Sequence, residues 1–301
     1  MSAQILLANA PVSWGIMEVD GWSPPIAWSK VMDEIAGSGY AATELGPYGY
    51  YPTDASRLRD ELARRSLALT SAFVPLKLKD PDALKTELPK AITVGRLLAD
   101  CGARYLVLSD HMWPERMACA GWVPEAGIRL TAAEWKTVAA NIRQVAAAAR
   151  DLGLRCVFHH HVGTYVETPE EVDTVLSEVD ASDLGLCLDT GHYFYGGGNP
   201  VEALKKYGRR VEYLHFKDVN PKIREACQRE RLGFLDGVRR GVFCPLGQGG
   251  VDFPAIKREL DALNFKGVAV VEQDVDATDT SGPPAVEGAK SSLAFLRGLG
   301  V

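Results

Sequence analysis

The sequence lacks the signatures that would place it in a membrane, on a nucleic acid or around a nucleotide. No apolar run in its 301 residues approaches the roughly 20 needed to span a bilayer. Basic charge is in deficit: 33 lysines and arginines against 39 acids leave a net charge of −6, the wrong sign for a phosphate backbone. Neither Gly-x-Gly-x-x-Gly nor a Walker loop occurs, which argues against nicotinamide and ATP chemistry. The 6 cysteines form no Cys-x-x-Cys pair, and several lie inside apolar runs, so they read as small buried hydrophobes rather than disulfides. The first residues show no basic, then apolar, then small-residue succession, and a reducing cytoplasm is the expected compartment.

What is present is a repeating unit. Arg155-Cys-Val-Phe-His-His-His-Val-Gly-Thr164 is an apolar strand ending in three histidines. The helical stretch Ala132 to Leu152, capped by Thr131, leads into it, and Thr168-Pro169-Glu170-Glu171 opens the next helix with an N-cap, a proline and acids in the first turn. The same alternation runs along the chain. Strands are expected at 4–10, 40–45, 67–73, 105–109, 155–161, 184–188, 211–216 and 267–271, each followed by a helix. Two long loops interrupt the pattern, Asp110 to Leu130 and Asp218 to Asp252. Eight strand–helix units with no linker predict one α/β domain over residues 1–301, a single (β/α)8 TIM barrel. A doubly wound open sheet would more often carry a glycine-rich phosphate turn after its first strand.

Chemistry in such a barrel sits at the C-terminal ends of the strands. There the sequence places Glu44, Asp110 and His111, the histidines 159–161, Asp189-Thr-Gly-His192, His215-Phe-Lys-Asp218, and Glu272-Gln-Asp274. Side chains alternate along a strand, so His159 and His161 should share a face and His160 should turn away; His215 and Lys217 should face the mouth. Any one of these residues could be a helix cap, a loop ion pair or a satisfied core histidine. Several converging imidazoles and carboxylates are expensive to bury without a cation. The expected metal ligands are His159 or His161, with Asp189, His215 and Glu272. This mixed set suits a divalent transition metal: imidazole favours Zn2+, Co2+, Mn2+ or Fe2+ over calcium, and the carboxylates keep Mn2+ in play.

At these residues the chain resembles the myo-inosose dehydratase family within the xylose-isomerase-like TIM barrels. The resemblance is carried by His159-His-His-Val-Gly-Thr164 with Glu167-Thr-Pro-Glu-Glu-Val172, Asp189-Thr-Gly-His192, His215-Phe-Lys-Asp218 and Gly247-Gln-Gly-Gly-Val-Asp-Phe253. It is densest from residue 130 to 275. Many relatives carry a glutamate where the fifth strand here offers histidine. The opening segments Ala10-Pro-Val-Ser-Trp-Gly15 and Met17-Glu-Val-Asp20 depart from the family's usual Ile-Gly-Trp and acidic loop. The resemblance implies manganese- or cobalt-dependent dehydration of a keto-inositol.

Such a dehydration needs a base at the α-carbon, a Lewis acid for the enediolate and an acid for the departing hydroxide. Glu272 and His161 are the expected bases, and Lys217 and Glu44 the expected acids. Near a cation, Lys217 would lose its proton more readily. Trp14, His111, Trp113, His192 and Arg239 are the expected substrate contacts, with Met112 and Trp122 considered for an apolar wall. The partner is a small polyol or keto-sugar, with neither nucleic acid nor membrane, in a homodimer or homotetramer. Isomerases and epimerases share the enediolate, so they stand as the alternative. A zinc-dependent abasic-site endonuclease would want a histidine after the third strand, where Phe73-Val-Pro75 stands. A non-catalytic sugar-binding barrel would bind no metal.

Overall fold

The computed structural model describes residues 3–19, 21, 22, 25–124, 128–276, 278 and 284–301. Asp20 of the opening segment and residues 125–127 of the first long loop lie outside the described residues.

The strands are β1 (Gln4–Asn9), β2 (Ala42–Thr43), β3 (Ala68–Leu69), β4 (Phe73–Leu76), β5 (Tyr105–Asp110), β6 (Arg155–His159), β7 (Gly185–Asp189), β8 (Val211–Phe216), β9 (Asp218–Val219), β10 (Phe243–Cys244) and β11 (Lys266–Val271). Nine form one sheet in the order β3-β2-β1-β11-β8-β7-β6-β5-β4, and every pairing in it is parallel. The expected third strand is split into β3 and β4. The bridging residues bond to both sides: Thr70 N donates to Thr43 O, Leu45 N to Ser71 O, and Val107 N to Ala72 O. The sheet therefore closes on itself as a TIM barrel.

Two apolar regions hold the barrel. Inside it, small and β-branched residues (Ala8, Ala42, Val107, Val157, Cys187, Val270) meet around the ring of Tyr213, with Phe73 and Tyr105 packed against them. Outside, Leu106, Leu108, Phe158, Leu186, Leu214 and Phe216 pack against the helices. The helices start where the sequence places caps. Thr131 and Glu134 form a capping box on Ala132–Asp151, and Thr168 and Glu171 form one on Pro169–Glu178.

The second expected loop is not a loop. It holds the antiparallel pair β9–β10 and the helices Pro221–Glu230 and Phe234–Arg239. The first of its helices is half charged and the second spans only 6 residues, so the stretch reads as a charged loop. They bring Phe234, Val238, Val242 and Phe243 over the barrel mouth, against Met17, Trp22, Met112 and Val162. Among the described residues, no helix is long and apolar enough to cross a membrane.

Candidate active site

The site begins with register. Between β7 and β8 the pairing shifts by one residue: Leu186 faces Val211, yet Cys187 faces Tyr213. The extra residue, Glu212, brings Asp189 directly opposite His215. On the next strand, Val270 faces His215, and Glu272 N donates to Phe216 O. His159 faces Cys187 on the other side. Four strand ends thus deliver four donors to one spot.

The donor atoms of His159, Asp189, His215 and Glu272 all lie within 4.8 Å of one another, and all four residues are buried. His159 Nε2 is 3.4 Å from Asp189 Oδ2; His215 Nδ1 is 3.8 Å from the same oxygen and 3.2 Å from Glu272 Oε2. Ligands about 2.1 Å from a tetrahedral divalent ion stand roughly 3.4 Å apart, the same spacing. Asp189 Oδ2 and His215 Nδ1 are buried without a hydrogen-bond partner, which is costly unless something else binds them. The residues present therefore fit a divalent metal. His215 reaches back through Nε2 to Glu44 Oε1 at 3.1 Å, the carboxylate support that fixes a ligand histidine's tautomer and ring orientation.

The motif Asp189-Thr-Gly-His192 earns each residue. Asp189 Oδ1 caps the helix Thr190–Tyr195 by accepting from His192 N at 2.7 Å, so Oδ2 is left for the cluster. The Thr190 hydroxyl accepts from Lys217 N at 2.9 Å and donates to Lys217 O at 2.8 Å. A Cβ at Gly191 would stand 2.7 Å from the Lys217 stem, so only glycine lets that lysine pass. Asp218 has a different task. Its carboxylate accepts from Gly247 N, Gly249 N and Val251 N, and so ties the Gly247–Val251 turn to the end of β8.

His159 and His161 both line the cavity, while His160 turns to Tyr193 and accepts from Asp189 N. Burial first, then the neighbouring His159, pushes His160 down to about 3, so it stays a neutral acceptor. His161 is not among the four converging donors. It stacks on His192 at 3.7 Å between ring centroids and lies with His192 and Asp274 in a second group. The Lys217 ammonium supplies the positive charge there, 2.8 Å from both His192 Nε2 and Asp274 Oδ1. Of the two histidines expected as metal ligand, His159 is the one with the geometry.

Lys217 also lies 3.2 Å from Glu272 and 3.5 Å from Asp189. Burial works against its charge, but Asp274, Asp189 and Glu272 more than offset that and hold its pKa above the usual lysine value. These carboxylates hold it as an ammonium.

Several expected substrate contacts lie elsewhere. Trp14 is buried in the outer core with its indole N–H on Glu34 at 2.6 Å. Trp113 donates to Asp110 and lies under Lys79, and His111 packs edge-on against Trp113. Arg239 pairs with Asp236 and covers Trp22. Trp122 donates to Leu232 O. His192 is buried beneath Lys217 rather than lining the cavity. Strand ends and loop aromatics look alike in sequence whichever way they turn; only packing separates them. The apolar wall keeps the expected Met112 and is completed by Ala10, Val12, Ile16, Met17 and Phe73.

Glu44 lines the cavity, but its Oε1 accepts from Ser71 Oγ (2.6 Å) and Tyr213 Oη (2.9 Å) besides its contact with His215. Tyr213 could have been found by carrying the alternation back from Lys217 and His215; nothing local marks Ser71. Glu18, named in sequence only as part of a segment, also lines the cavity.

Comparison with known proteins agrees with this architecture. The family described as "Xylose isomerase-like TIM barrel" matches residues 32–299. An inosose dehydratase of Geobacillus kaustophilus is 34% identical over 273 residues, covering 89% of this chain and 86% of that protein. Among solved structures, a D-allulose 3-epimerase from Methylomonas sp. in complex with D-allulose superposes with a TM-score of 0.73 at 17% identity, over 99% of both chains. The IOLI protein with a bound zinc atom gives 0.71 at 16% identity, over 98% of both chains. With its barrel, its four-donor site and a relative this similar over nearly the whole length, the chain belongs to the inosose dehydratase family of xylose isomerase-like TIM barrels.

Proposed function

We propose that the protein is a divalent-metal-dependent lyase that removes water from a keto-inositol or a closely related keto-polyol. The observation that carries this is the convergence of His159, Asp189, His215 and Glu272 beside the buried ammonium of Lys217. The inosose dehydratase relative supports the choice of substrate class. A bound divalent metal would act as a Lewis acid, stabilising the negative charge of the enediolate. Two imidazoles and two carboxylates favour Mn2+ or Co2+ as that metal, with Zn2+ and Fe2+ also suited to the donors.

The chain's own residues divide the remaining work. His161 Nδ1 lies 2.6 Å from the Val162 carbonyl, a contact that requires the proton on Nδ1. Nε2 is then a lone pair, and burial first, then His159, holds the ring well below the usual histidine range. We assign His161 as the base at the α-carbon, since Glu272 belongs to the donor set. Lys217, fixed by Asp274 and His192, keeps its charge in place for oxygen that becomes negative in the transition state. Glu44 acts by holding His215. The apolar wall seats the ring and limits water. The 6 cysteines are free thiols, consistent with the cytoplasm as the compartment we assign.

The test is direct. Protein stripped of metal and reloaded with Mn2+, Co2+ or Zn2+ is given a keto-inositol in deuterium oxide and followed by NMR. Loss of water with α-deuteration in the reloaded protein only is expected. Exchange or isomerisation of a ketose with no water lost from any inosose would replace this reading with an epimerase.

A further inference from the structure

Four carboxyls line the cavity: Glu18, Glu44, Glu272 and Asp274. Three are already engaged. Glu272 is in the donor set, Glu44 takes Ser71, Tyr213 and His215, and Asp274 takes Lys217 at 2.8 Å. Glu18 makes no ion pair among the described residues. It sits on the segment that leaves β1, and in the order of the ring β1 stands across from β6, which carries the histidines. Glu18 and His161 line the same cavity, one on the segment after β1 and the other just past the end of β6. The segment is well anchored: Ile16 and Met17 line the cavity, Met17 and Trp22 join the apolar cluster over the mouth, and Trp22 donates to Val275 O.

Resting on the dehydratase reading, we propose that Glu18 is the acid that protonates the departing hydroxyl. His161 takes the α-proton, and the electron pair of that C–H bond moves toward the ketone oxygen as the enediolate, from which it returns to form the new carbon–carbon double bond. The β C–O bond breaks with its pair on oxygen, which accepts the Glu18 proton and leaves as water. Glu18 regains a proton from solvent as His161 returns one. An acid in this role must hold a proton near neutrality. Glu18 keeps part of its surface open at the cavity wall; desolvation there, opposed by a hydrogen bond from its own backbone N–H and reinforced by Glu272, Glu44 and Asp274, pushes its carboxyl up to about 8, the direction an acid in this role needs.

The experiment uses the metal-loaded enzyme and its Glu18→Gln and Glu18→Asp variants, with α-proton exchange and water loss followed together in deuterium oxide. Glu18→Gln should lose water at least about 100-fold more slowly, the scale of a missing general acid. Exchange, melting temperature and metal content should stay near wild type, and Glu18→Asp should recover part of the elimination. An inosose with fluoride in place of the β-hydroxyl needs no proton to leave, so Glu18→Gln should eliminate it nearly as fast as the wild type. Equal losses of exchange and elimination, no loss of elimination, or no fluoride rescue would overturn the role. Should Glu18→Gln not fold, Glu18→Ala carries the same comparison. A wild type that exchanges but eliminates water from no inosose overturns the underlying dehydratase reading and this role with it; a wild type that eliminates beside a Glu18→Gln variant that also does overturns the role alone.

Discussion

At the scale of single residues, the site is a set of side chains each given one task by a neighbour. In the proposed site His215 would ligate through Nδ1, because Glu44 holds Nε2. Outer carboxylates of this kind typically carry a 10–100-fold effect on metal affinity. Glu44→Gln should therefore weaken metal binding by about 10–100-fold, read as a dissociation constant by titration of the stripped protein. Asp189→Asn should be more severe. It removes the charge from the oxygen that lies 3.4 Å from His159 Nε2 and 3.8 Å from His215 Nδ1. An amide oxygen can still cap His192 N, so the fold should survive while stoichiometric metal binding is lost, as elemental analysis would show. Wild-type metal content in Asp189→Asn would remove that residue from the ligand set.

At the scale of elements, the strand ends work because the loops beyond them are tied down by buried charge. Arg116, wholly buried, binds Glu171 through two contacts of 2.9 Å and lies 3.7 Å from Glu167. Glu167 accepts from Gly121 N and Gly163 N, joining the first long loop to the histidine loop. Burial, only partly opposed by Arg116 and these N–H groups, pushes the Glu167 carboxyl up to about 7. A carboxyl raised in the folded state binds protons there that the unfolded chain has released. Its contribution to stability therefore falls as pH rises from about 4.5 to about 7 and is constant above. In Glu167→Gln that decline should vanish, so denaturant-derived stability between pH 5 and 7 should slope more positively than in the wild type. A second test concerns the turn after β10. A Cβ on Gly249 would stand 2.2 Å from Asp218 Oδ1 and 2.5 Å from Val219 O. Gly249→Ala should cost about 1–3 kcal/mol, as overpacking does, and lower the melting temperature accordingly. The segment from 218 to 252 was illegible as structure because its first helix, of 10 residues, is half charged, its second has only 6, and their burial comes from a mouth the sequence does not display.

At the scale of the whole molecule, four ligands from four separate strands make metal binding a property of the closed barrel. A metal at 100 times its dissociation constant adds about 2.7 kcal/mol if the unfolded chain does not bind it. For a chain of this size that is roughly 5 °C in melting temperature. Addition of Mn2+ or Co2+ to the stripped protein should raise the transition by that order, a chelator should reverse it, and Asp189→Asn should show neither effect. An equal rise in Asp189→Asn would locate the stabilising ion elsewhere.

The strands, the helix caps and the strand-end residues that converge as possible donors were legible in the sequence because they obey local rules. Period-two alternation places His215 and Lys217 on one face and Leu214 and Phe216 on the other, and short polar caps such as Thr131 and Thr168 mark where helices begin. What only the tertiary structure decided are relations between distant segments. The one-residue register shift at Glu212 sets Asp189 against His215; the meeting of Ser71, Tyr213 and Glu44 turns an apparent acid into a support; and the turn of Trp14 toward Glu34 takes an apparent substrate contact into the core. Each depends on how strands stack around a closed ring. A side chain's local pattern tells which face of its strand it occupies, but not what the neighbouring strand brings to meet it.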